Sequence, residues 1–305
     1  MATEQTKSKP LITATELAEM METEKVVLLD ARDAEEYEKE HIPGAVNIPD
    51  IFYYLVDTSP EGMEDFRNHF AKLFGEAGLT GEETAVIYEG GFSLKSPRGY
   101  VILEYLGYPK MAVLSNGMKG WKKEAGYPVS DEVPPPAGSA DTFPLDPDPS
   151  VFVTKDEMLE TLDDPNIVRL DVRDEEEWYG ESSSPYGVDF VPRKGRIPNA
   201  TWLDWNMLLT MGEETKGTFN VVEDKGEFKE LEEVEKSLAE HGVTKDKDII
   251  LYCFKGARTS STYLAMKMLG YENVRTYIGS WNEWAKDDSL PIEDGAPREE
   301  AEIRQ

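Results

Sequence analysis

The sequence predicts an α/β protein built from two copies of one unit, each a mostly parallel central sheet flanked by helices. Three observations lead there. Short β-branched and leucine-rich runs alternate with helical stretches, the pattern of strands joined by helical crossovers. The two halves repeat the same phrases in the same order. A proline-rich run separates them, in a chain of 305 residues, long enough for two domains of roughly 100–200 residues each.

Each copy opens on a capping box, Thr13-Ala-Thr-Glu16 and Thr154-Lys-Asp-Glu157, which starts a short helix. A buried strand follows, Val26–Asp30 and Ile167–Asp171. Both strands end in matching phrases, Leu29-Asp30-Ala31-Arg32-Asp33 and Leu170-Asp171-Val172-Arg173-Asp174. An acidic helical turn carrying Tyr37 or Trp178 comes next, then an Ile-Pro turn at Ile42-Pro43 or Ile197-Pro198. The later parts match as well. Strands at Thr84–Tyr88 and Asp248–Tyr252 lead into helices that stop at Gly107 and Gly270. Short strands Met111–Leu114 and Val274–Tyr277 close each copy, followed by Trp121 and by Trp281 and Trp284. The second copy carries a longer insert from Gly180 to Lys194, expected as a surface loop.

These signals divide the chain into a first domain at residues 8–128, a linker at 129–150, a second domain at 151–294 and a charged tail at 295–305. The linker holds Pro134, Pro135, Pro136, Pro144, Pro147 and Pro149, which resist both helix and sheet. The tail is expected to fray.

Composition narrows the function. Asp and Glu number 61 against 32 Lys and Arg, a net charge of -29. Such a chain repels nucleic acid and anionic membranes, so neither is an expected partner. A single cysteine excludes an internal disulfide and any multi-cysteine metal site. His41, His69 and His241 are scattered, without metal-ligand spacing. The N-terminal stretch is polar, and no apolar run reaches the length of a membrane span. A cytoplasmic enzyme or binding protein is expected.

The chemistry concentrates at Cys253-Phe254-Lys255-Gly256-Ala257-Arg258-Thr259-Ser260. Cys253 directly follows a predicted buried strand, and ligands of open α/β sheets bind at such strand ends. A helix expected to begin near Thr259 or Ser260 directs its N-terminus at the loop. Gly256 lets backbone N–H groups turn inward, and Lys255 and Arg258 add charge. Together these favour an anion over a thiol nucleophile. The alternative, a small buried apolar cysteine, fits poorly beside a cationic loop. In the first copy Glu89 stands opposite Cys253, so that copy is expected to be catalytically silent.

The phrase from Cys253 to Ser260 resembles the active-site loop of rhodaneses, as do Leu170–Arg173, Arg196-Ile197-Pro198 and Gly279–Trp284. The whole resembles the tandem-domain thiosulfate and 3-mercaptopyruvate sulfurtransferases, from about Leu11 to Pro291, and so implies two rhodanese-like domains. The resemblance implies a persulfide on Cys253, formed from a small anionic donor (thiosulfate or 3-mercaptopyruvate) and passed to cyanide or a thiol, such as that of a thioredoxin-like protein. It calls for no cofactor and no metal. It assigns substrate contacts to Phe254, Lys255, Gly256, Ala257, Arg258, Thr259, Arg173 and Arg196. It also matches Arg98 to an arginine of the family's first domain, and Glu89 and Arg98 of the silent copy are expected either to pair or to line the interdomain cleft.

Departures from the family pattern favour thiosulfate. Glu177 stands where some members carry a carboxylate-binding arginine, and the loop after Cys253 is cationic where mercaptopyruvate enzymes have a neutral one. Arg196 takes the place of the more usual histidine. Four residues separate Cys253 from Arg258, against five in related phosphatases and arsenate reductases, which implies a cradle sized for one sulfur atom. A sulfur-carrier or regulatory module without turnover is the remaining alternative.

Overall fold

The computed structural model describes residues 9–123, 127–135, 137–211 and 226–295. Pro136 of the linker and residues 296–305 of the tail lie outside the described residues, as do the first eight. The described residues hold twelve strands. The first five are β1 (Leu11–Ile12), β2 (Val26–Asp30), β3 (Val46–Asn47), β4 (Thr84–Tyr88) and β5 (Met111–Leu114). Then come β6 (Phe152–Val153), β7 (Ile167–Asp171), β8 (Ala200–Trp202), β9 (Leu209–Met211) and β10 (Gly226–Phe228). The last two are β11 (Asp248–Tyr252) and β12 (Val274–Tyr277).

The chain forms two compact units. One takes in the described residues of 1–54, 64–149 and 210–228, the other those of 55–63, 150–209 and 229–305. The first holds a five-stranded sheet ordered β1-β5-β4-β2-β3, the second a five-stranded sheet ordered β6-β12-β11-β7-β8. Every pairing in both is parallel. A further pair, β9 and β10, stands apart from these two sheets. The central strands β4 and β11 run between neighbours on both edges, which explains their unbroken apolar sequences at 85–88 and 249–252.

The expected internal repeat extends to individual hydrogen bonds. Thr13 and Thr154 both close capping boxes: each Oγ1 accepts the N–H of Glu16 or Glu157 at 3.2 Å. Tyr88 and Tyr252, at the ends of the central strands, accept the N–H of Ile42 and Ile197 through their hydroxyls, at 3.1 and 3.2 Å. The indoles of Trp121 and Trp284 donate to the carbonyls of Pro128 and Pro291, at 2.8 and 2.9 Å. Gly107 and Gly270 end their helices with φ of 80° and 82°, a conformation that costs glycine little.

The proline-rich stretch contains no regular element among its described residues, as expected of a run short of N–H donors. It still has defined partners within the first unit. The N–H groups of Asp146 and Asp148 donate to Leu106 and Tyr105, at 3.1 and 2.7 Å. Phe143 is buried and stacks on Tyr108 with centroids 5.5 Å apart. The insert from Gly180 to Lys194 likewise forms no helix or strand, and it exposes Tyr186, Val188 and Phe190.

Candidate active site

Cys253 is the first residue after β11, and neighbouring elements fix its backbone. Its N–H donates to Ser280 Oγ at 3.2 Å, and its carbonyl accepts the N–H of Trp281 at 3.0 Å. The Phe254 carbonyl accepts the N–H of Asn282 at 2.9 Å. The loop then turns back on itself, so that the N–H of Gly256 donates to Cys253 Sγ at 3.1 Å.

Gly256 makes that turn possible. It has φ of 81°, and a Cβ there would stand 2.5 Å from Cδ1 of Ile278. With this residue as its N-cap, the helix begins at Ala257 and runs to Met268. That start is two to three residues earlier than the sequence predicts, because the left-handed glycine completes the turn before Ala257. The helix therefore opens directly beside the sulfur. Ser260 Oγ donates to the Gly256 carbonyl at 2.7 Å and braces the loop.

Cys253 is 1% exposed, yet its surroundings are not hydrocarbon alone. Ala257 is buried beside it in the loop, and the buried hydroxyl of Thr259 has no hydrogen-bond partner among the described residues. Phe254 packs against Tyr186 and Phe190 of the insert, with centroids 5.4 and 6.0 Å away. The Lys255 ammonium lies 5.3 Å from the centroid of the Tyr186 ring.

Arg258 has a different setting from the one its sequence context implies. Glu177 grips it with two oxygens, at 2.5 Å to Nη1 and 3.1 Å to Nη2. Asp174 adds a second carboxylate 3.0 Å from Nη1. Burial works against the guanidinium charge, but the fields of Glu177 and Asp174 outweigh it and hold the group firmly protonated. The loop cation is thus neutralised from within the fold.

Arg173 and Arg196, grouped with the site by sequence, both make local pairings, and Arg173 Nη1 is buried without a hydrogen-bond partner among the described residues. Arg173 is fully buried, pairs with Asp171 at 2.6 Å, and donates to the Gly195 carbonyl at 2.8 Å. Its guanidinium lies 4.6 Å from the Trp281 ring centroid. Arg32 repeats the pairing in the first unit, with Asp30 at 2.6 Å. Arg196 lies over Trp178 at 4.5 Å and donates to the carbonyls of Trp178 and Gly295. His41 is its counterpart, stacked on Tyr37 at 4.1 Å with its ring nitrogens near the carbonyls of Tyr37 and Glu132.

In the first unit Glu89 follows β4 as Cys253 follows β11. Its carboxylate accepts the N–H of Ser93 and of Ser96 at 3.1 Å, and the Ser96 hydroxyl at 2.7 Å. Burial raises this carboxyl above its ordinary range, while those donors and Lys95 pull the other way. Arg98 is buried on the following helix and donates to the carbonyls of Phe52 and Tyr54, at 3.3 and 2.7 Å.

Sequence reasoning missed Asp174 and Ser280, and it read Glu177 as an absent arginine rather than as a partner of Arg258. A signal existed in the repeat. Asp33 pairs with the loop cation Lys95 at 3.1 Å in the first unit, and Asp174 holds the matching position in the second. Ser280 sits at φ of 55° after Gly279, a conformation that sequence pattern does not reveal.

A family model for the rhodanese-like domain matches residues 13–124 and 154–287. A Mycobacterium tuberculosis protein named "Putative thiosulfate sulfurtransferase" is 29% identical, over 89% of this chain and 93% of its own length. The "Thiosulfate sulfurtransferase" of Azotobacter vinelandii is 28% identical, over 94% and 98%. Among solved structures, the anaerobic ergothioneine biosynthesis enzyme from Chlorobium limicola, in complex with trimethyl histidine, shares the fold. It has a TM-score of 0.77 at 24% identity, over 94% of this chain and 70% of that one. Among the described residues, no helix is long and apolar enough to cross a membrane.

Proposed function

The chain belongs to the rhodanese-like domain family, and from that premise we propose that it transfers a sulfane sulfur from thiosulfate to cyanide or a thiol through a persulfide on Cys253. The single observation that carries this reading is the Gly256 N–H held 3.1 Å from Cys253 Sγ, at the head of a helix. A backbone donor and a helix N-terminus both stabilise negative charge on that sulfur and on a sulfur added to it.

In the proposed cycle the Cys253 thiolate attacks the outer sulfur of thiosulfate. The sulfur–sulfur bond of the donor breaks, sulfite leaves with the bonding pair, and Cys253 becomes a persulfide. The acceptor then attacks the terminal sulfur, and Cys253 departs as thiolate. Cyanide becomes thiocyanate, or a thiol becomes its persulfide. Each half-reaction is a two-electron displacement at sulfur, so no outside oxidant or reductant is required. In this reading Lys255 is the loop cation assigned to the donor, and the hydroxyl of Thr259, without a hydrogen-bond partner among the described residues, is a further donor for the bound group. Names of relatives support thiosulfate, and position 177 lacks the arginine with which some members bind a carboxylate donor such as 3-mercaptopyruvate.

Intact-mass measurement after exposure to thiosulfate, followed by a thiocyanate assay with cyanide, tests the reading. The wild type is expected to gain one sulfur and to release it as thiocyanate, while Cys253→Ser does neither. Equal activity in both proteins would remove the proposal. A second reading is a carrier that takes sulfur from, or gives it to, a protein partner. The exposed side chains of Tyr186, Val188 and Phe190 beside Phe254 favour it. Sulfur loading by a protein persulfide but not by thiosulfate would select this second reading.

A further inference from the structure

The loop sequence alone credits the Cys253 site with two cations. The fold removes the effect of one of them. Arg258 carries a single positive charge and meets two carboxylates, Glu177 and Asp174, so the three-residue cluster is net negative. Glu177 is 3% exposed and Arg258 is likewise 3% exposed by side chain, so water does little to screen their pairing. The geometry is the two-pronged one in which a guanidinium and a carboxylate match best. Asp174 is further anchored by the Trp205 indole N–H, at 2.9 Å from Oδ1. Arg258 and Cys253 interact electrostatically across the tightly turned loop, so the charge of this cluster is felt at the sulfur.

We infer that Glu177 is a specificity-determining residue that selects sulfur donors by charge. By cancelling Arg258 it lowers what each added negative charge on a donor gains at the site. Glu177 thereby narrows the advantage of the dianion thiosulfate and admits singly charged sulfane compounds, such as a thiosulfonate or an organic persulfide, as donors of the same site. Glu177 acts through Arg258 and through the local field; it need not touch the donor. The inference rests on the reading of Cys253 as the reacting atom, but not on which donor the protein uses.

Replacement of Glu177 is unusually clean to interpret. In Glu177→Gln, Arg258 still has Asp174 as a counter-charge, so no buried cation is orphaned. The glutamine carbonyl can keep one of the two hydrogen bonds. The chain also has a single cysteine, so thiol chemistry reports on one site only.

The test is alkylation of native protein by iodoacetamide, which is neutral, and by iodoacetate, which is anionic. Both react with the same thiolate, so the ratio of their rates cancels any change in thiolate fraction and reads the local field. Removing one charge from this buried cluster is expected to raise the iodoacetate-to-iodoacetamide ratio about three- to tenfold. The rise should shrink as salt is added. Asp174→Asn, at a more exposed side chain, is expected to move the ratio the same way and serves if Glu177→Gln folds poorly. In turnover, Glu177→Gln should lower KM for thiosulfate more than for methanethiosulfonate, with kcat less affected.

An unchanged or lowered alkylation ratio in both variants would overturn the inference. So would a native Cys253 inert to both reagents, since a thiol closed to small molecules has no donor to select. If neither donor leaves sulfur on the wild type while the ratio still rises, the sulfur-transfer reading fails and the electrostatic role of Glu177 stands.

Discussion

Glu89 holds in the first repeat the backbone position that Cys253 holds in the second. The carbonyl of Glu89 accepts the N–H of Met118 at 2.8 Å, and that of Cys253 accepts the N–H of Trp281 at 3.0 Å. Both residues follow the central strand of their sheet, and both side chains receive backbone N–H groups of the loop ahead. In one repeat the loop encloses a resident carboxylate; in the other it encloses the thiol sulfur of Cys253. A carboxylate cannot form a persulfide, so the difference between the repeats lies in one side chain and the loop that fits it.

Glu89 should leave a signature in the pH dependence of stability. Burial is the largest influence on its carboxyl and raises it above the ordinary value of 4.5. A group whose folded value is raised contributes stability that is fully present below its unfolded value. That contribution is lost as pH rises through the folded value. The stability of the wild type relative to Glu89→Gln is therefore expected to be greatest at acidic pH and to fall toward neutrality. Thermal melts of both proteins from about pH 4.5 upward check this, and a difference that grows with pH would refute it.

Gly256→Ala should damage the loop more than its size implies. The residue needs a left-handed backbone, and the new Cβ would meet the Ile278 side chain at 2.5 Å and its carbonyl at 3.0 Å. The conformational part alone costs about 1–2 kcal/mol. The N–H that faces Cys253 Sγ should shift as the loop relaxes. Sulfur loading is expected to slow by at least about tenfold, the scale of losing one donor to a developing anion. Equal loading rates in the two proteins would show that this N–H is dispensable.

Lys255→Ala is expected to raise KM for thiosulfate by about three- to tenfold, with a smaller rise for 3-mercaptopyruvate. With Arg258 held by two carboxylates, Lys255 is left as the loop cation of greatest consequence for a dianion. Steady-state kinetics with both donors decides the matter. Equal changes for the two would contradict the assignment of thiosulfate.

The Asp171–Arg173 pair is expected to matter for folding rather than for donor affinity. Arg173→Leu would strand a carboxylate that is fully buried, at a cost of about 3–5 kcal/mol. Denaturant melts read this directly. A variant of unchanged stability but raised KM would return Arg173 to the substrate-contact role that its resemblance implies.

Much of this was legible in the chain itself. The six strands read from the sequence, β2, β4, β5, β7, β11 and β12, lie where their apolar runs place them, while the strands of two or three residues carry too few positions to show a pattern. The two capping boxes and the stops at Gly107 and Gly270 are local events, readable within four or five residues. The match of Glu89 to Cys253 was also legible, since it needs only the repeat and not its packing.

What the sequence determined by itself, then, was the repeated α/β architecture, and with it the position of Cys253 at the end of a central strand. Both follow from periodicity and from short-range chemistry. Only the tertiary structure decided the working charge of the loop. Glu177 and Arg258 are 81 residues apart, and no local pattern couples them. Parallel pairing of β7 beside β11 sets the ends of these strands side by side. A cation read from the sequence as available to a donor there becomes one already matched by two carboxylates, because electrostatic pairing depends on distance in space and not along the chain.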